Sequence, residues 1–147
     1  RSNEQHLDFD LDLAKSSSSD NPVYYLQYAH ARVCSVMRQL EERGYAWDAA
    51  EAGANLEQLT EQHENSLILT LTRFAETVEA AAMQRAPQHI VHYLKEVAHE
   101  FHAYYNAHKF IVEDSGLRNA RLMLVLATRQ VMRNGLDLLG VTAPEHM

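Results

Sequence analysis

A chain of 147 residues, 46% apolar and 22% charged, can close one hydrophobic core and is too ordinary in composition to be fibrous or disordered. Its formal net charge of −7 argues against a generic nucleic-acid binder, which shows an excess of Lys and Arg; it leaves room for a local patch that reads a few unstacked bases. No apolar run reaches the roughly eighteen residues that span a membrane, and a single cysteine, Cys34, excludes an internal disulfide and a cysteine zinc site, as expected of a cytoplasmic protein.

The chain starts at Arg1 without an initiator Met or a signal-peptide pattern, as a fragment would. Residues 1–20 read as a lead-in. Over His6–Leu13 apolar and acidic residues alternate; the period suits a strand, while the aspartates suit a short helix or an extended linker equally well. Ser16–Ser19 then breaks any regular element.

Asn21-Pro22 starts the first long helix, with Asn as N-cap and Pro at the first helical position. Gly44 ends it, suited to a left-handed cap. Tyr25, Leu26, Ala29, Val33, Val36, Met37 and Leu40 share one arc and form its predicted core face. Cys34 sits inside this apolar pattern and is predicted to be a buried, inert thiol. Residues 44–55, aperiodic and carrying Trp47, predict a loop or a weak turn of helix. A second helical region begins at Leu56, short at first, and becomes strongly periodic from Glu64 through Arg85.

Pro87 restarts the chain as a third long helix to about His108, with Ile90, Leu94, Val97, Phe101 and Tyr104 inward and Tyr105 at the edge. Glu113–Gly116 breaks it and offers caps to the last helix, Leu117 to about Leu139. That helix is apolar nearly all round, so its neighbours must surround it. Gly140 stops it, and residues 141–147 form a non-helical tail. The prediction is an all-α fold, a bundle of four long helices plus short ones.

No constellation for catalysis is present: there is no G-x-S-x-G, no Walker loop and no glycine-rich phosphate cradle. The nine histidines invite a metal hypothesis, but His99-Glu100-Phe101-His102 places its second histidine one residue too close for H-E-x-x-H. A solvated histidine face is the preferred reading, with no metal site. Arg118, Arg121, Arg129 and Arg133 share an arc of the last helix, and structural ion pairing is preferred there over RNA contact.

Two strips join rings to cations. Tyr24, Tyr28 and Arg32 are spaced i, i+4, i+8 on the first helix; His102, Tyr105 and Lys109 are spaced i, i+3, i+7 on the third. Such strips serve either to stack unpaired bases and hold their phosphates, or to pack against another domain.

The segment from Asn21 to Val36, NPVYYLQYAHARVCSV, resembles the opening of the C-terminal, DALR-type anticodon-binding domain of bacterial arginyl-tRNA synthetases, and His6–Ala14 looks like that family's link out of its catalytic domain. Arg121–Val125, and Gly135–Met147 with its Pro-x-x-Met terminus, are similar to the family's closing helix; Tyr93-Leu94 and Phe101–Asn106 also fit. The resemblance implies the anticodon-binding bundle of a class I synthetase, residues 21–147, behind a linker of residues 1–20. It implies arginine tRNA and the enzyme's own catalytic domain as partners. ATP and Mg would act in that catalytic domain, with no cofactor here, since signatures of H-I-G-H and K-M-S-K type are absent. It further implies anticodon contacts from Tyr105 and from Met147, whose thioether and free carboxylate suit a splayed base. Lys109 stands where the family pattern would place a second ring. The competing expectation is a helical protein–protein interaction module without RNA binding.

Overall fold

The computed structural model describes residues 10–18 and 20–147; its regular elements are all helices, with no strand among the described residues. Residues 6–9 of the predicted alternating stretch lie outside the described residues. Its remainder forms a short helix, α1 (Leu11–Lys15), because the Asp10 carboxylate accepts from the backbone N–H groups of Asp12 and Leu13, both at 3.0 Å. Helix α1 buries no side chain. Asn21 ties it down, donating from Nδ2 to the carbonyls of Ala14 and Ser16.

Helix α2 (Pro22–Glu42) begins and ends as predicted: the Asn21 side chain accepts from Val23 N–H at 3.1 Å, and Gly44 turns the chain away at φ +73°. Leu26, Ala29, Val33, Val36 and Leu40 are buried, whereas Tyr25 and Met37 are half-buried. Cys34 is buried as expected, and burial raises its thiol pKa, so the sulfur stays protonated and inert.

Part of the segment expected to be a loop or weak turn is a helix, α3 (Ala49–Ala54), capped by Asp48. Its stability comes from tertiary contacts rather than periodicity. The Glu51 carboxylate accepts from the Ser115 hydroxyl and from the Asn119 amide, at 2.6 Å in the latter case. A 3₁₀ turn follows (Leu56–Gln58).

The helix expected over 64–85 is divided into α4 (Gln62–Thr72) and α5 (Phe74–Met83). The Thr70 and Thr72 hydroxyls bond back to the carbonyls of Ser66 and Leu69, and the Tyr93 hydroxyl donates to the carbonyls of Thr70 (3.0 Å) and Leu71 (3.3 Å). Carbonyls so occupied serve the i→i−4 ladder poorly, and Arg73 N–H falls back on Thr70 at 3.3 Å. Helices α6 (Gln88–Ala107) and α7 (Ser115–Leu138) complete the bundle, with the predicted α6 stripe buried.

Helix α7 touches α2, α3, α4 and α6, the central place its apolar circumference predicts. Two core clusters set the directions. Leu26 of α2 joins Leu94 of α6 and Met132 and Leu136 of α7; Val36 of α2 joins Phe101 of α6 and Leu122 and Val125 of α7. Thus α2 and α6 run the same way and α7 runs against both. Gly135 permits the close approach of α6 and α7: a Cβ there would stand 2.6 Å from Leu94 Cδ2.

A charged pair crosses this core. Glu64, fully buried, accepts from Arg121 Nε at 2.8 Å and from the Tyr104 hydroxyl at 2.9 Å on one oxygen, and from Glu61 N–H at 3.0 Å on the other. Arg121 Nη1 also donates to Lys109 O at 2.8 Å. Arg118 donates to the carbonyls of Val112 and Glu113 and lies over Tyr45, and Arg129 reaches Glu145. Arg121 and Arg129 make the ion pairs expected of them; Arg118 has a structural use of another kind, with backbone carbonyls and a ring in place of a carboxylate, and Arg133 is exposed.

Candidate nucleic-acid interface

The parallel course of α2 and α6 brings the Tyr24–Tyr28–Arg32 strip onto one surface with His102 and Tyr105. Tyr24 and Tyr28, one turn apart on α2, stack with ring planes 10° apart and centroids 6.4 Å apart. The next residue of the strip, Arg32, reaches across to α6. Its guanidinium lies 4.2 Å from the Tyr105 ring centroid and 5.9 Å from that of Tyr28. His102 fills the angle between the helices, 6.0 Å from Tyr28 and 5.7 Å from Tyr25, centroid to centroid.

An Arg32 N–H donates to His102 Nδ1 at 3.2 Å. A guanidinium has nothing but donors, so Nδ1 must be the bare nitrogen of a neutral imidazole. Burial, then the Arg32 charge, then His99 push the His102 pKa down from 6.5 to about 4. This corrects the expectation of a solvated histidine: His102 is half-buried between tyrosines and carries no charge at neutral pH. Among the described residues, no group of three or more His, Cys, Asp and Glu could hold a metal ion.

Tyr105 is a dividing wall. Phe101 and Phe110 back its ring at centroid distances of 6.0 and 5.7 Å, and Arg32 covers one face. On one side lies a recess of about 260 Å³ lined by Tyr28, Ala31, Arg32, Ser35, Arg38, Tyr105 and Met147. On the other is a recess of about 270 Å³ containing Gln39, Arg43, His108 and Lys109. Lys109 corrects a second expectation. Helix α6 ends at Ala107, so Lys109 does not continue the His102–Tyr105 strip as an i+7 residue; it stands exposed across the Tyr105 wall from Arg32.

Met147 does reach the ring cluster, through a tail whose anchors sequence reasoning missed. Gln27 Nε2 donates to Thr142, His30 Nδ1 to Pro144 O at 2.8 Å, and Arg38 Nη1 to Glu145 O at 2.8 Å. A signal existed. Gln27, His30, Cys34 and Arg38 repeat at i, i+3, i+7 and i+11, a second stripe on α2 with three strong hydrogen-bonding groups.

The seven residues singled out beforehand therefore divide. Tyr24, Tyr28, Arg32, His102 and Tyr105 form one cluster, Met147 borders it, and Lys109 lies beyond it. Flat rings, two guanidiniums (Arg32 and Arg38) without a carboxylate ion-pair partner among the described residues, and the recess beside Met147 make a surface able to stack an unpaired planar group and neutralise a nearby anion.

Residues 26–147 match the family described as the DALR anticodon binding domain. The chain is 60% identical over 144 residues to the arginine–tRNA ligase of Thioalkalivibrio sulfidiphilus, covering 98% of this chain and 25% of that one. It is 59% identical to the arginine–tRNA ligase of Halorhodospira halophila, covering 100% of this chain and 25% of the relative. A crystal structure assigned to an arginyl-tRNA synthetase of Campylobacter jejuni superimposes with a TM-score of 0.78 at 27% identity, covering 100% of this chain and 31% of that one. The chain thus spans about a quarter of the length of the curated relatives it matches.

Proposed function

The chain belongs to the DALR anticodon binding domain family, and from that membership we propose that it holds the anticodon arm of an arginine tRNA while a catalytic part of a larger synthetase joins arginine to that tRNA. The observation that carries the reading is the recess where Tyr28, Arg32 and Tyr105 meet Met147. An anticodon base that leaves its loop loses stacking partners, and the Tyr24–Tyr28 pair supplies a platform in their place. Arg32 holds a fixed positive charge beside it, because His102 accepts its N–H without competing charge. With a net charge of −7, the domain draws little on long-range attraction, and a few local contacts carry the specificity.

In this reading Tyr105, Met147, Tyr24, Tyr28 and Arg32 face the RNA, His102 orients Arg32, and Lys109 meets a phosphate on the far side of the Tyr105 wall. Residues 21–147 form the binding unit, and residues 1–20 lead to the catalytic part, where ATP and magnesium would act in the cytoplasm. This sequence has no glycine-rich loop to cradle phosphates. A protein-docking module finds less support, since Tyr28 and Tyr105 are engaged with Arg32 rather than laid out as a continuous apolar face.

The test is binding of the anticodon stem-loop of an arginine tRNA, followed by fluorescence anisotropy. Tyr28→Ala is expected to weaken it roughly 5- to 150-fold, the loss of about 1–3 kcal/mol of stacking. Equal affinity for stem-loops with unrelated anticodons would overturn the proposal.

A further inference from the structure

The tail is held in a way that burial of its own side chains does not account for. Gly140, at φ +68°, turns the chain out of α7, and Val141 N–H closes that turn on Leu136 O at 2.9 Å. Beyond this point no tail side chain is fully buried, so apolar burial alone does not fix the path of residues 142–147. Polar anchors on α2 do. They engage consecutive stretches of the tail in order, Gln27 with Thr142, His30 with Pro144 and Arg38 with Glu145, and Arg129 of α7 holds the Glu145 carboxylate at 3.4 Å.

His30 is the centre of this arrangement. Its ring is 1% exposed, and a buried imidazole costs free energy unless its nitrogens are bonded. A carbonyl can only accept, so the 2.8 Å contact with Pro144 O requires the proton on Nδ1. The Cys34 sulfur lies beside the ring, 3.9 Å from Nδ1 and 4.0 Å from Nε2. Burial of the ring and placement of the tail are therefore coupled: without the tail, Nδ1–H loses its carbonyl and keeps only the weakly accepting Cys34 sulfur at 3.9 Å. Pro144 narrows the choice of path further, since its φ is locked by its own ring. Past Glu145 the anchors stop, and Met147, 55% exposed, is delivered to the recess beside Tyr28 and Tyr105.

We propose that His30 and Arg38 are positioning residues that clamp the tail across α2, so that Met147 is pre-placed as one wall of the RNA recess. The functional half of this claim rests on the anticodon-binding reading, whereas the clamp itself does not. Pre-placement matters because an untethered tail would have to be ordered on binding, and that entropy would be subtracted from affinity.

The experiment has two readouts on the intact protein. The first is the rate at which a carboxypeptidase releases Met147, followed by mass spectrometry. The second is affinity for the arginine tRNA anticodon stem-loop. His30→Leu and Arg38→Ala are expected to speed release several-fold and to weaken RNA binding toward the level of a variant lacking Met147. His30→Asn is expected to restore both, because its amide nitrogen stands close to the position of Nδ1 and can donate to Pro144 O.

A clamp also predicts non-additivity: Arg38→Ala combined with loss of Met147 should bind no more weakly than loss of Met147 alone. Wild-type protection of the tail in both His30→Leu and Arg38→Ala would overturn the clamp. Fast release with unchanged RNA affinity, in a protein whose affinity does fall when Met147 is deleted, would overturn the positioning role. If wild-type protein binds no arginine stem-loop, the anticodon reading falls and the protease readout still decides the clamp. Should His30→Leu fail to fold, the half-exposed Arg38 and Gln27 carry the same comparison.

Discussion

Arg121 and Arg32 both approach a tyrosine, in very different surroundings. Arg121 lies inside the bundle, 2.8 Å from a fully buried Glu64 that also accepts from Tyr104. Arg32 lies at the surface, 4.2 Å from the Tyr105 ring centroid, bonded to a neutral histidine and in an ion pair with no carboxylate among the described residues. Where a carboxylate meets the guanidinium in a dry core, the charge is consumed in holding α4, α6 and α7 together. Where only rings and an uncharged imidazole meet it, the charge stays available to an anion from outside. The partner, not the residue type, separates a structural arginine from a binding one.

The largest effect that tests this contrast is on stability. Arg121→Met strands the Glu64 carboxylate in the core and is expected to cost about 3–5 kcal/mol in urea unfolding, whereas Glu64→Leu with Arg121→Met together should recover much of the loss. Arg32→Ala should cost less than about 1 kcal/mol by the same measurement. Equal losses from the two arginines would erase the distinction.

Next in size is RNA affinity. Arg32→Ala is expected to weaken anticodon stem-loop binding and to lower the slope of log affinity against log salt by about 1, the signature of one lost phosphate contact. An unchanged slope would show that Arg32 orders rings without meeting the backbone.

The third effect is a pH dependence of folding. The folded pKa of His102 is about 4 against an ordinary 6.5, so between these values the unfolded chain binds a proton that the folded chain refuses. Its contribution is fully present above about pH 6.5, is lost as the pH falls toward about 4, and stays flat below that. Thermal unfolding of wild type minus that of His102→Gln should show this window, since carboxylate titrations common to both cancel. A difference that is constant from pH 7 to pH 4 would place the imidazole in contact with water.

Several elements are legible in the sequence alone. Asn21-Pro22 and Gly44 mark the ends of α2, the spaced apolar residues mark the inward faces of α2 and α6, and the apolar circumference of α7 marks it as central. Caps and stripes are written within a few turns of the same helix, so the local chain contains all the information they need. The aromatic and basic strips were legible for the same reason, and the terminal motifs carried the family resemblance.

What only the tertiary structure decided depends on partners far away along the chain. The break at Arg73 needs Tyr93, 23 residues beyond Thr70, to occupy two helix carbonyls. The short α3 needs Ser115 and Asn119 of α7 to bind Glu51. His102 leaves the solvated face predicted for it because α2 lies beside it, and Lys109 leaves the strip because α6 ends first. The tail reaches its recess because Gln27 and Thr142, 115 residues apart, meet on α2. Periodicity shows which face of a helix seeks a neighbour, whereas hydrogen-bonding groups are satisfied one by one, and which group satisfies which is settled only when the helices pack.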